Sequence, residues 1–263
     1  MKAPIYVFVA ASVAAGIINL IWHDFATGWQ PIQTFGDHVP GREFLAILTA
    51  LWLVVAGLAV FWPRTAAFGG AALAVVYCIF GIFWLPRLYW VTRAFGFSPE
   101  HIIGVLAGAA QQVILASAAI LIWAASSKDS PRKERKVRVA FWAFGIGCIL
   151  FGLSHYFSSS SVATLVPKWM PLGGEFWAIL TGTAFALAGI AILLRMCDLL
   201  AARLLTAMLF VFSLLVCLPW ILQHPRGHEA WGGNAYNLTA AAAAWIVASW
   251  LSTTKETSSV STA

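Results

Sequence analysis

The chain has 263 residues, of which 61% are hydrophobic and 10% are charged, and its mean hydropathy is +0.84. This composition excludes an ordinary soluble globular domain and predicts an integral membrane protein. The net charge of +6 comes from basic residues between apolar segments, which is typical of membrane topology and argues against nucleic acid as a partner.

Eight apolar segments are long enough to cross a bilayer core of roughly 30 Å as helices, which takes about 20 residues each. They span residues 4–22, 44–62, 66–86, 101–125, 139–156, 175–194, 202–222 and 235–252. Helices are favoured over barrel strands because a helix satisfies its own backbone hydrogen bonds in lipid. The predicted fold class is all-α, a polytopic protein with eight transmembrane helices.

Basic residues are distributed unequally between the two sets of connections. One set carries eleven: Lys2, Arg64, Lys128, Arg132, Lys133, Arg135, Lys136, Arg138, Arg195, Arg203 and Lys255. The other carries five: Arg42, Arg87, Arg93, Lys168 and Arg226. The positive-inside rule therefore predicts a multi-pass protein of the cell inner membrane with both termini in the cytoplasm.

The two halves of the chain are predicted to be copies of one four-helix unit. At an offset of 132 residues, the stretch 43–49 aligns with 175–181 at six of seven positions, and His23 falls on His155. An even number of helices returns the chain to its starting face, so the repeats are expected to be parallel. The predicted divisions are a first repeat at 1–125, a basic linker at 126–138, a second repeat at 139–252 and a tail at 253–263. The first apolar segment is predicted to be retained rather than cleaved as a signal peptide. Its counterpart in the second repeat ends at His155, in the middle of the chain, where no signal peptide is cleaved.

Motifs for common chemistries are missing from the sequence. The four cysteines, Cys78, Cys148, Cys197 and Cys217, form no C-x-x-C pair and are predicted to be small buried hydrophobic residues. No glycine-rich phosphate-binding motif is present. No catalytic residue and no metal ligand is predicted.

The candidate ligand-binding residues are His23, Glu43, His155, Glu175, Gln111 and Gln112. In each repeat a histidine closes the first helix and a glutamate opens the second, so each histidine is expected to lie near the glutamate of its own repeat. The alternative is that these groups only cap helix dipoles, and that the glutamines only bond between helices. His224 and His228 favour an ordinary loop over a metal site because Pro225 and Gly227 lie between them.

Several short motifs of the second half resemble the DoxX-like family of small four-helix membrane proteins. They are Phe151 to Phe157, Val166 to Pro171, Leu180-Thr181-Gly182 and Leu218-Pro219-Trp220. The resemblance covers most of residues 145–250 and, more faintly, 10–125, and it implies a tandem duplication. It also implies a quinone as cofactor and a membrane redox partner. The second-helix carboxylate of many members is replaced here by apolar residues, so the resemblance implies the fold more than a reaction.

Three functions are compatible with the sequence. The first is a non-enzymatic membrane component that binds a small apolar ligand or supports a membrane complex. The second is a quinone-linked oxidoreductase subunit, and the third is a small-molecule transporter, for which two related halves are typical. The sequence leaves open whether any reaction is catalysed.

Overall fold

The computed structural model describes residues 1–26, 28–32, 39–127 and 131–261. Lys128 to Ser130 of the predicted linker, Asp37 and His38, and residues 262–263 of the predicted tail lie outside this part. Within it, the chain forms helices and no strand, so the all-α prediction is confirmed. The α-helices are α1 (Lys2–Trp22), α2 (Arg42–Val60), α3 (Ala66–Trp84), α4 (Pro86–Phe95), α5 (Pro99–Ser126), α6 (Pro131–Phe157), α7 (Ser159–Ala163), α8 (Gly174–Leu194), α9 (Asp198–Phe212), α10 (Leu218–Gln223) and α11 (His228–Ser261). One turn of π-helix, Ser213–Cys217, links α9 to α10 and is called the π-turn below.

Seven helical stretches of the described chain are long and apolar enough to cross a membrane. They are Lys2–Trp22, Arg42–Val60, Ala66–Phe95, Pro99–Ser126, Arg132–Phe157, Gly174–Leu194 and Asp198–Gln223. The chain is thus a multi-pass α-helical membrane protein by length and composition. The eighth predicted segment, 235–252, lies within α11 and does not belong to these seven.

Helix boundaries differ from the prediction where polar residues continue a helix. The helix α6 begins at Pro131, not near residue 139, because its basic run consists of good helix formers and has Pro at the start with Glu134 in the first turn. Two short helices, α4 and α7, were not predicted. Hydropathy locates the part of a helix that suits lipid, so it misses helical turns outside that part.

The eight long helical stretches form a closed ring. Each helix in the order α1, α2, α3, α5, α6, α8, α9 and α11 contacts the next, and α11 contacts α1. A further contact joins α5 to α11 across the ring. The end of the bundle at which α5 finishes and α6 begins is called the linker end. The opposite end, where His23 and His155 lie, is called the histidine end.

The cysteine prediction is correct for two residues and wrong for two. Cys148 and Cys217 are buried, whereas Cys78 on α3 and Cys197 between α8 and α9 are exposed. Cys78 faces outward from a helix whose opposite side packs in the core, and a small apolar side chain is compatible with lipid there. All four thiols are free.

Glycines allow α6 and α8 to pack with their backbones in contact. A Cβ atom at Gly189 would lie 2.5 Å from the carbonyl oxygen of Gly145, and one at Gly152 would lie 2.6 Å from that of Gly182. Small residues at membrane helix interfaces commonly permit such close approach. This close contact, called the helix seam below, forms one wall of the second half.

The connection after α1 fills the histidine end of the first half. Phe25, Ala26, Gln30 and Ile32 are all buried, although they lie outside any helix. The Gln30 side-chain oxygen accepts hydrogen bonds from Asn19 Nδ2 at 3.0 Å and from the Ala26 backbone N–H at 2.7 Å. A buried loop must satisfy its polar groups within the protein, and these bonds allow the chain to occupy the interior there.

Candidate ligand cavity

The predicted pair of the first half forms a surface contact. His23 Nδ1 lies 3.5 Å from Glu43 Oε1, and the two side chains are 64% and 71% exposed. His23 is the residue that ends α1, in the left-handed conformation with φ 51°. Neither residue lines the two cavities described below, and exposed ion pairs of this kind contribute little.

His155 behaves differently from His23. His155 is 6% exposed, Glu175 is exposed, and no ion pair joins them within the described chain. Their proximity stays a prediction. His155 is buried because of helical register: α6 continues to Phe157, so His155 stays on the inner face of the helix. Its Cβ packs against Gly182 of α8, which has no side chain to exclude it.

The two neighbouring glutamines have different environments. Gln112 is fully buried, and its Nε2 donates a hydrogen bond to the backbone oxygen of Trp29 at 2.7 Å. Gln112 therefore joins α5 to the connection that follows α1, which is a structural role and not ligand binding. Gln111 is 8% exposed and lines a cavity on the other side of α5. Its amide makes no hydrogen bond within the described chain.

The cavity has a volume of about 540 Å³, and most of its lining comes from the second half of the bundle. Its walls come from α5, α6, α7, α8, α9, the π-turn and α11, together with the connections after α1 and α7. Most of the lining is apolar, for example Phe144, Phe185, Met208 and Leu209. A site of 300–1,000 Å³ with mainly apolar walls and a few polar groups is typical of small-molecule binding sites.

Three residues that line the cavity are also exposed, namely Leu180 on α8 and Leu204 and Val211 on α9, with Leu204 at 61%. From their exposure we infer that the cavity opens sideways between α8 and α9, toward the surrounding lipid. A molecule dissolved in the membrane can therefore reach the cavity without passing through water.

His155 presents a hydrogen-bond acceptor to the cavity. Its Nδ1 lies 3.0 Å from the carbonyl oxygen of Phe151, which accepts a hydrogen bond, so the proton of the neutral ring belongs on Nδ1. That arrangement leaves Nε2 with a free lone pair. Phe151 and Phe185 hold the ring by aromatic contacts at 5.2 and 5.6 Å between centroids.

Asn237 on α11 is a polar cavity residue that the sequence analysis missed. Its Nδ2 donates to the Leu209 carbonyl oxygen and to Ser213 Oγ, both at 2.8 Å. These bonds satisfy backbone and side-chain groups beside the π-turn. The signal in the sequence was an asparagine within an apolar segment, a placement that usually marks an interhelical hydrogen bond or a site.

The π-turn has a local cause in Pro219. A proline has no N–H, and its ring clashes with the carbonyl four residues earlier, here that of Leu215. The chain relieves the clash by widening one turn, and such π-bulges are frequent at functional sites. Leu215, Val216 and Cys217 of this widened turn line the cavity.

Comparison with known proteins adds no family. No family model, no curated protein and no solved structure matches the chain. The resemblance to the DoxX-like family therefore remains a prediction that rests on the short motifs alone.

Proposed function

We propose that this membrane protein binds a small, largely apolar molecule in the cavity of its second half. The observation that carries the proposal is Gln111, whose side chain lines an apolar cavity and makes no hydrogen bond to the described chain. A ligand that supplies a hydrogen-bond partner would bind to this amide among apolar walls, where a hydrogen bond is stronger than in water.

The polar groups define the ligand's chemistry. The Gln111 amide can donate to a carbonyl or accept from a hydroxyl, and His155 Nε2 can accept from a hydroxyl. A molecule with an apolar body and one hydroxyl or carbonyl head fits this set. A protein that only holds such a molecule, or presents it to a membrane complex, needs no catalytic residue.

A quinone is the second candidate, and the same two side chains favour it. A quinone carbonyl can accept from the Gln111 amide, and the hydroxyl of the reduced form can donate to His155 Nε2. This candidate agrees with the proposed DoxX-like relationship. It requires a redox partner, because the chain has no C-x-x-C pair of its own.

We further propose eight membrane spans in two parallel repeats, with both termini in the cytoplasm. Support for an eighth span comes from α11, which contacts Asn19 through His228 at the histidine end and contributes Trp250 to a cavity at the linker end. An offset of 132 carries α2 onto α8 and makes the start of α3 coincide with the start of α9. The ring also suits this symmetry, since α5 contacts α6 as α11 contacts α1.

The experiment is to purify the full chain in a mild detergent and identify co-purifying lipophilic molecules by mass spectrometry and absorbance. The informative variant is His155→Gln, and its matched control is His23→Gln on the exposed surface. We expect loss of the co-purifying molecule from the first variant only. Equal retention by both variants would overturn the assignment of this cavity, and a quinone spectrum would select the second candidate.

A further inference from the structure

A second cavity lies at the linker end and shares no lining residue with the one described above. Its volume is about 460 Å³, and it lies between the start of α6, the end of α8 and α11. Its charged lining consists of Lys133, Arg138, Arg195 and Glu134. Three cationic side chains against one carboxylate give this cavity, called the basic cavity, a net positive charge.

Arg195 is directed to the basic cavity by the way α8 ends. The residue adopts the left-handed conformation at φ 59°, and its guanidinium lies 4.7 Å from the centre of the Phe141 ring on α6. One of its nitrogens lies 3.8 Å from Asp198 Oδ2, which is a long contact. Several of its five N–H donors therefore remain for another acceptor.

Arg138 is the second guanidinium of the basic cavity. It lies one turn before Phe141 on α6, and it makes no ion pair within the described chain. Glu134 lies four residues earlier on the same helix, a spacing at which glutamate and arginine often form an ion pair. Glu134 and Arg138 do not form one. Two guanidinium groups from different helices thus face one space without a strong anionic partner.

The surroundings of the basic cavity are those of the membrane interface. Trp142 and Trp250 line it, and tryptophan is enriched at the level of lipid headgroups. Beside it, Val139, Trp142 and Leu194 are exposed on the outer surface. An anionic head in the cavity could therefore continue into acyl chains that lie along α6 and α8.

We propose that the basic cavity binds the phosphate of an anionic glycerophospholipid. Guanidinium groups bind phosphate oxygens through paired, charge-assisted hydrogen bonds, and basic pockets between membrane helices are suited to such headgroups. The excess of positive charge favours an anionic lipid over a zwitterionic one. The proposal is independent of the ligand in the larger cavity.

The test uses the full chain in mild detergent and native mass spectrometry with added phosphatidylglycerol, phosphatidylcholine, glycerol phosphate or inorganic phosphate. The variants are Arg138→Gln in the basic cavity and Arg135→Gln as matched control, since Arg135 lies on the same helix, is exposed and does not line the cavity. Gel filtration checks that each variant folds.

We expect one tightly bound phosphatidylglycerol, an affinity roughly tenfold lower in Arg138→Gln, and a change below about twofold in the control. Equal losses in both variants would overturn the proposal in favour of diffuse attraction by the basic run. Equal binding of phosphatidylcholine would contradict selection of an anionic lipid. Competition by inorganic phosphate at equal affinity would show a site for free phosphate instead.

Discussion

Replacing Gln111 with leucine tests the central claim about the cavity, because the change should weaken binding without lowering stability. The residue is 8% exposed and its side chain makes no hydrogen bond to the described chain. Leucine has nearly the same volume and no polar group. The ligand-free variant should therefore be at least as stable as the natural protein, because the substitution removes no hydrogen bond and places an apolar side chain among apolar walls.

Binding should weaken at the same time. A neutral hydrogen bond contributes about 0.5–1.5 kcal/mol net, which corresponds to an affinity about two- to twelvefold lower. Thermal unfolding of the ligand-depleted protein in one detergent measures the first effect, and titration with the molecule identified by mass spectrometry measures the second. A variant that is less stable and binds equally well would refute the reasoning, because the amide would then have a partner within the protein.

Three further predictions concern the cavity, the helix seam and pH. Ala184→Phe should fill the cavity and abolish ligand retention, whereas Leu187→Phe on the lipid-facing side of α8 should not; mass spectrometry of the purified variants compares them. Gly189→Ala should destabilise the protein by about 1–3 kcal/mol in thermal unfolding, since its Cβ would meet a backbone oxygen at 2.5 Å, while Gly104→Ala in open space should be neutral or stabilising. Burial is the largest influence on the His228 imidazole and lowers its pKa below the ordinary 6.5. The unfolded chain therefore binds a proton at this ring more readily than the folded chain does. Stability should therefore fall as pH drops below about 6.5, and His228→Gln should reduce this dependence in melting curves recorded from pH 7.5 to 5.

The helices were predictable because lipid imposes one strong condition on the backbone. Long apolar segments must be helical in a membrane, so seven of the predicted segments correspond to membrane-capable helices. The sequence does not predict the start of α6 at Pro131, since hydropathy does not detect helical turns that lie in water. The hydropathy pattern also does not predict that Gln30 is buried, because a polar residue in a connection ordinarily lies at the surface.

The candidate site was predictable only in part. Gln111 was identified as a polar residue within an apolar segment, and the cavity indeed includes it. The histidine pairs were treated as equivalent because both follow the same motif. Local geometry separates them, since His23 ends its helix in a left-handed conformation while His155 remains inside one. Asn237 acquires its role only through the π-turn that faces it, which no spacing in the sequence reveals.

The sideways opening between α8 and α9 has a thermodynamic consequence for any occupant. A lipophilic molecule concentrates in the bilayer by partitioning. The cavity therefore equilibrates with the concentration of that molecule in the membrane, which is far higher than its concentration in water. A modest intrinsic affinity then suffices for high occupancy in the cell. Occupancy should fall on solubilisation in proportion to the detergent volume, because micelles dilute the reservoir with which the cavity exchanges.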